Sequence, residues 1–337
     1  PQGAYDEFGK NGAERQMKKA YTDYNKIAVS PLYYTGRVAV TLFRTFFLIL
    51  ITFIIMYPLV YMLSMAFRSP KDFLDVTVIW LPKTPTLDNF KTAIFDVKLL
   101  QAMGNSFSIA FVSSVLQLLT TCLAGYGFAR YHFKFSVILF AAAVFTIILP
   151  PQILSMPNYL LMKNFDVFGI YSLITGHASP LNLCDTLWSF YLPAMLGQGL
   201  RAGVFVLMFR QTFAALPKEL EEASLIDGCG HFGTFFKIML PNALTSVLVF
   251  FIFSFVWYWG DYYLASINLS SVQTLSTRIS DLRYLLEEIL PREKLTAYYI
   301  IPIEQAACVF SLLPPVVLFA FCQKYFVRGI DRSGIVG

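Results

Sequence analysis

The chain has 337 residues, of which 56% are hydrophobic and 14% charged, and its formal net charge is +5. Soluble domains carry roughly 25% charged residues. This shortfall, with apolar stretches longer than about 18 residues, places the chain in a membrane. The positive balance gives no nucleic-acid reading, because no basic run is interleaved with polar recognition chemistry, and inner-loop Lys and Arg account for it.

Residues 1–36 are polar, with Lys10, Arg15, Lys18, Lys19 and Lys26. They lack an apolar core and a small-residue cleavage site, so they read as a cytoplasmic lead-in rather than a signal peptide. The first apolar span is expected at about Val38–Phe67, with Arg37 and Arg44 snorkelling at its start and Pro58 kinking it. A polar segment to about Gln101 reads as an ordered external loop with a short surface helix. The second span, about Met103–Ala129, has no formal charge and is rich in Ser, Thr, Gly and Ala. Small residues let helices approach closely in lipid, so this helix is predicted to be a packed inner one. The third span, about Phe135–Met162, is interrupted by Pro150, Pro151 and Pro157. The carbonyls these prolines free need protein or water. Asn164–Asp185 reads as a second external segment, with room for a re-entrant or surface helix. The fourth span, about Thr186–Phe213, is broken by Pro193, Gly197, Gly199 and Arg201. The fifth is about Asn242–Leu264, a third polar segment runs to about Thr296, and the sixth span is about Tyr298–Tyr325.

Six spans put both termini on one side. Positive charge in the lead-in, at Arg130 and Lys134, at Arg210, Lys218 and Lys237, and at Lys324, Arg328 and Arg332 marks that side as the cytoplasm. The fold class expected is an all-α polytopic membrane protein. No tandem or inverted repeat stands out, which argues against a secondary transporter.

Between spans four and five lies Leu216–Pro241, a charged, glycine-punctuated island. Pro217 sits at an N1-like position of a first short helix whose early turns carry Glu219, Glu221 and Glu222, where negative charge suits the helix dipole. Asp227-Gly228-Cys229-Gly230 breaks the chain, and Gly228 permits a turn at positive φ. In a second helix Phe232, Phe235, Phe236, Met239 and Leu240 are spaced to form one apolar face. Such a hairpin outside the membrane offers a partner protein an acidic helix and an aromatic one.

Catalytic chemistry is missing from the sequence. There is no phosphate-cradling GxxxxGK[ST]. His132, His177 and His231 are scattered, no carboxylate dyad lies in a span, and the five cysteines show no metal-ligand spacing and read as small buried hydrophobes. No catalytic or metal-binding residue is expected. Any energy is supplied by another chain.

Glu222-Ala223-Ser224, three residues, Gly228, nine residues, then Ile238-Met239-Leu240-Pro241 resembles the E-A-A, x3, G, x9, I-x-L-P loop of inner-membrane permease subunits of bacterial ABC importers. Only Ser224 departs from it. Asn105-Ser106, Ala124–Arg130, Arg210–Phe213 with Leu216–Leu220, and the Gly-ended tail are similar to the maltose-type carbohydrate branch. Trp259-Gly260-Asp261-Tyr262 is similar to its WND[YF], with Gly260 in place of Asn. The resemblance covers about Val38–Gly337.

It implies the type I importer permease fold: six transmembrane helices over residues 37–337, with a coupling-helix hairpin at 216–241. Glu222, Ala223, Ser224, Asp227, Gly228, Phe232, Phe235 and Phe236 would then serve coupling to an ATPase, and spans four and five would act as near-rigid levers. The implied partners are a second homologous permease, two ATPase subunits that bind ATP and Mg, and an extracytoplasmic sugar-binding protein. The site is a bacterial cytoplasmic membrane, and this chain binds no cofactor of its own.

For the substrate pathway, Trp257, Trp259, Tyr262 and Tyr263 can stack on sugar rings or form an interfacial aromatic belt. Asp261 can hold a sugar hydroxyl or fix a helix end. Arg201 can serve function at depth, snorkel outward or pair with a carboxylate. The competing classes are a permease for a non-sugar solute, a self-standing secondary transporter or channel, and a membrane enzyme.

Overall fold

In a computed structural model of the chain, the described residues are 19, 31–166, 169, 172–173 and 180–333. Most of the expected lead-in, the last residues of the tail, His177 and part of the segment expected to hold a re-entrant helix lie outside them. The chain divides into two compact units, Pro1–Met62 and Leu63–Gly337.

The first unit contains most of α1 (Pro31–Ala66), which is apolar on all sides. Pro58 lies inside it without ending it. Two hydroxyls in this apolar helix are satisfied locally. Thr41 donates to the Arg37 carbonyl (2.8 Å) and Thr52 to the Leu48 carbonyl (2.7 Å).

In the second unit the polar segment after α1 is ordered by buried polar side chains. It carries α2 (Pro70–Leu74) and α3 (Asp88–Lys91), the latter continued by a wide π turn at Thr92–Asp96. Arg68 donates to the Ile79 carbonyl (2.7 Å), Asp72 accepts the Thr84 N–H (2.7 Å), and Asn89 donates to the Ala66 and Arg68 carbonyls (both 2.9 Å). Buried and bonded to backbone groups, these side chains fix the loop, with the Arg68 Nε left without a partner among the described residues.

Next comes α4 (Leu99–Arg130). Ser106, Ser113, Ser114, Gln117 and Thr121 are all buried, as the small-residue pattern predicted. At Gly125 an added Cβ would meet the Phe209 Cβ and the Arg210 backbone, so the two helices touch backbone to backbone there.

The expected third span is two helices, α5 (Ser136–Ile148) and α6 (Pro151–Lys163), bent 108° from each other. Pro151 opens α6 at its first position, where its missing N–H costs nothing. The fourth is also two, α7 (Trp188–Met195) and α8 (Ala202–Ala215).

The hairpin is formed by α9 (Glu219–Ile226), α10 (His231–Thr234) and a π turn at Phe235–Met239, and is followed by α11 (Leu240–Asn242). The fifth span starts as α12 (Leu244–Trp259). Its 16 residues reach only about 24 Å at 1.5 Å per residue, short of the ~30 Å hydrocarbon layer, and α13 (Tyr263–Asn268) extends it past the break at Gly260. The third polar segment holds α14 (Leu275–Ser280) and α15 (Leu282–Ile289), and α16 (Ala297–Ser333) is the sixth span.

Among the described residues three helices are long and apolar enough to cross alone: Thr35–Ala66, Leu99–Arg130 and Ala297–Lys324. Two bent pairs, Ser136–Ile148 with Pro151–Lys163 and His231–Asn242 with Leu244–Trp259, bring the number to five, and the fourth expected span holds a shorter apolar helix, Ala202–Ala215. At the far end of the fourth span Asp185, at φ 62°, gathers the Ser270, Ser271 and Val272 amides and the Ser271 hydroxyl. The hydroxyl first, then the amides, hold its carboxyl down to about 2.

Two apolar clusters form the core, and α4 threads both. Its N-terminal half packs with Phe190, Phe255, Trp259, Leu282, Leu286 and Ile303. Its C-terminal half packs with Phe205, Phe209, Phe213, Phe235, Met239 and Phe250. The second cluster is what carries the hairpin.

Candidate functional site

The hairpin at 216–241 is assembled from its break outward. α9 begins at Glu219, so Pro217 lies just ahead of the helix rather than at its first position. Its last turn closes on Asp227, whose N–H reaches the Ala223 carbonyl (2.9 Å), and Cys229 N–H reaches Ser224 O (3.0 Å). Gly228 takes φ +81°, the left-handed conformation expected of glycine at this turn, and no atom lies within 4 Å of where its Cβ would sit. The two short helices are then pinned together by buried hydroxyls: Ser224 Oγ and Thr234 Oγ1 lie 3.0 Å apart. A small polar residue is what fits there.

The expected aromatic face divides in two. Phe235 is 3% exposed and belongs to the core cluster with Tyr126 and Phe213, as does Met239. Phe235 is therefore removed from the outward anchor. Phe232 is 76% and Phe236 52% exposed, and Ile226 beside the break is 85% exposed. The reason is the width of the apolar stripe. It covers more of the helix than one contact can use, so one edge meets the chain's own core and the other faces out. Glu222, Ala223 and Asp227 are exposed as well, and Glu222 forms no ion pair among the described residues.

Glu221, read from the sequence only as one of three acidic residues suited to the helix start, points inward. Its Oε2 lies 3.4 Å from Arg130 Nε, and its Oε1 accepts the Tyr126 hydroxyl (2.8 Å). Arg130 also donates to the Leu216 carbonyl (2.7 Å). The Tyr131 hydroxyl lies 3.1 Å from His231 Nδ1 and 3.4 Å from the Tyr126 hydroxyl. No periodicity in the sequence signals this cluster, because its members come from separate segments.

A second break, Leu196–Arg201 between α7 and α8, is closed by side chains. Gln117 Nε2 donates to the Leu200 carbonyl (2.7 Å), the Tyr258 hydroxyl donates to Gln117 Oε1 (2.6 Å), and Leu200 N–H donates to the Tyr258 oxygen (3.0 Å). An added Cβ at Gly199 would meet Gln117 Oε1 and the Tyr258 hydroxyl. The backbone groups freed by the break are thus satisfied inside protein, as an apolar surrounding requires.

The residues proposed for a substrate pathway do not come together as one surface. Trp259 is buried, stacked on Phe255, and its Nε1 donates to the Ser311 carbonyl (3.1 Å). It is a core residue, neither a sugar platform nor part of an interfacial belt. Trp257 packs edge-on against Phe205, with the Arg201 guanidinium 4.9 Å from its ring centre. Arg201 sits at φ 54° before α8 and makes no ion pair among the described residues. Asp261 accepts the Ala265 N–H (3.1 Å), which fixes the start of α13. Tyr262 stays exposed, and Tyr263 reaches Ser155 (hydroxyls 3.2 Å apart). A cleft of about 450 Å³ opens elsewhere, lined by Lys98, Gln101, Asn105, Gln273 and Arg278 among others. Among the described residues no three His, Cys, Asp or Glu side chains gather as a metal site.

Residues 117–332 match the family model described as binding-protein-dependent transport system inner membrane component. The chain is 32% identical over 295 residues to the arabinooligosaccharides transport system permease protein AraQ of Halalkalibacterium halodurans, covering 85% of this chain and 93% of that one. It is 29% identical over 297 residues to the maltodextrin transport system permease protein MdxG of Bacillus subtilis, covering 86% and 94%. Its fold is similar to a chain in the crystal structure of a bacterial ABC transporter involved in the import of the acidic polysaccharide alginate, with TM-score 0.68 at 16% identity, over 88% of this chain and all of that one.

Proposed function

Because the chain belongs to the family of binding-protein-dependent transport system inner membrane components, we propose that it forms half of the pathway through which an ATP-driven importer carries a sugar or oligosaccharide. The observation that carries this reading is the hairpin. It is bolted to the core on one side and presents Ile226, Phe232 and Phe236 on the other. Exposed aromatics on an ordered scaffold are the usual anchors of a protein interface. The partner that fits them is an ATPase subunit, where ATP and Mg are bound. Glu222, Ala223, Ser224, Asp227 and Gly228 shape or line that contact, and a second, homologous permease and an external binding protein complete the assembly.

The positive charge beside the hairpin and at both ends of the chain supports cytoplasmic termini and a cytoplasmic hairpin. A saccharide cargo is supported by the named substrates of the relatives.

Co-purification tests the reading. A tagged copy of this chain, extracted from its native membrane, brings down an ATPase subunit and a second permease. In proteoliposomes the complex takes up arabino- or maltooligosaccharides only with ATP and the binding protein. Uptake by the purified chain alone, without ATP, would establish a self-standing transporter instead.

A further inference from the structure

The hairpin is fastened to more than the two helices it connects. Both oxygens of Glu221 are engaged by α4: one by Arg130 (3.4 Å), the other by Tyr126 (2.8 Å). Tyr126 and Arg130 are four residues apart, so they share one face of α4. Arg130 also takes the Leu216 carbonyl, just where α8 ends and the hairpin begins. The second helix of the hairpin is held through Tyr131 and His231, and through the Phe235 ring, 5.0 Å from that of Tyr126. The Arg130 side chain is 4% exposed and that of Glu221 14%. A charge pair removed from water this far becomes costly when one member is deleted, because the other stays buried and unpaired.

The three carboxylates of α9 therefore divide their work. Glu219 and Glu222 face outward, and Glu221 faces α4. We propose that Glu221, Arg130 and Tyr126 are positioning residues that join the hairpin to α4. A displacement imposed on Ile226, Phe232 and Phe236 then passes straight to α4, as well as along α8 and α12. This rests on the reading of the hairpin as the ATPase docking site. The consequence is specific, since α4 is contiguous in sequence with neither end of the hairpin and its N-terminal end lines the 450 Å³ cleft.

The test uses the complete complex in nanodiscs, with Glu221→Gln, Arg130→Gln, Tyr126→Phe and the exchanged pair Arg130→Glu with Glu221→Arg. Two quantities are read: hydrogen exchange of the 219–234 amides, and ATP hydrolysis stimulated by maltotriose- or arabinotriose-saturated binding protein. E221Q and R130Q should raise exchange and cut the stimulation roughly tenfold while ATPase subunits still co-purify. Y126F should act the same way more weakly, and the exchanged pair should recover part of the stimulation.

Unchanged exchange overturns the tie. Raised exchange with normal stimulation overturns the positioning role and leaves only a structural one. Loss of the ATPase subunits from E221Q at unchanged exchange makes Glu221 a docking contact and also overturns it. If the unaltered complex shows no ATP-linked uptake, the transport reading falls, and the exchange measurement still judges the tie.

Discussion

Two breaks in this molecule are built from the same material and finished differently. At Leu196–Arg201 and at Asp227–Gly230 a helix stops, glycine or a left-handed residue turns the chain, and a new helix starts. At the first, Gln117 and Tyr258 arrive from two other helices and bond the Leu200 carbonyl and N–H and each other. At the second, the backbone closes on itself, the space beside Gly228 is empty, and apolar side chains are left outside. A break finished from within is part of the fold. A break finished with open space and exposed aromatics awaits another molecule.

The contrast can be broken by substitution. Gly199→Val should be the most damaging change, at about 3 kcal/mol or more, because it drives a side chain into Gln117 and Tyr258 and opens their hydrogen bonds. Thermal unfolding in detergent, read by near-UV circular dichroism, measures it. Gln117→Leu keeps the volume but strands the Leu200 carbonyl and the Tyr258 hydroxyl, for about 1–3 kcal/mol by the same assay.

Gly228→Val meets nothing in this chain, so only its left-handed φ counts, at about 1–2 kcal/mol. Its main effect should appear in the complex, as loss of stimulated ATP hydrolysis. If it destabilises the chain as much as Gly199→Val, the two breaks are alike and the distinction fails. Phe232→Ala should shift stability by no more than about 0.5 kcal/mol while weakening co-purification of the ATPase subunit. Normal co-purification would move the anchor to Phe236 or Ile226.

Asp185 supplies the control, a left-handed residue finished by its own carboxylate. Its folded value is depressed to about 2, so its contribution is full above the unfolded value near 3.9 and is lost only as pH falls through about 2. Stability should therefore show no Asp185-dependent change between pH 5 and 8, and the Asp185→Asn variant should match the parent most closely at the acid end. A titration step of this group near neutrality would contradict the bonding seen.

Much of this was legible in the sequence where the signal is local. The apolar runs gave α1, α4 and α16, missing the polar start of α1 and the polar end of α16 by about two turns, and the glycine at 228 announced its positive φ. The small-residue pattern of α4 foretold its burial. What stayed hidden depends on distant partners. Gln117 sits in an apolar run with nothing to mark it, and its partners Leu200 and Tyr258 are far off in sequence. Pro150-Pro151 signalled a break but not a 108° bend. Trp259 looked like an interfacial aromatic because the residues around it are aromatic, yet its indole N–H finds a carbonyl on α16 and the ring goes inside. Phe235 was read with its neighbours because periodicity defines a stripe, and cannot say that the stripe serves two masters.

The contact at Gly125 bears on how the molecule responds to force. Where two backbones meet this closely, within a cluster that packs Cys122 and Tyr126 with Phe209 and Phe213, the two helices have little mutual compliance. The C-terminal half of α4 and α8 thus behave as one stiff strut. Strain applied at its lower end has nowhere to dissipate until the chain bends again at Leu196–Arg201. A bulky residue at Gly125 would insert a spring into that strut, and the stroke delivered at the far end would shrink even where the fold survived.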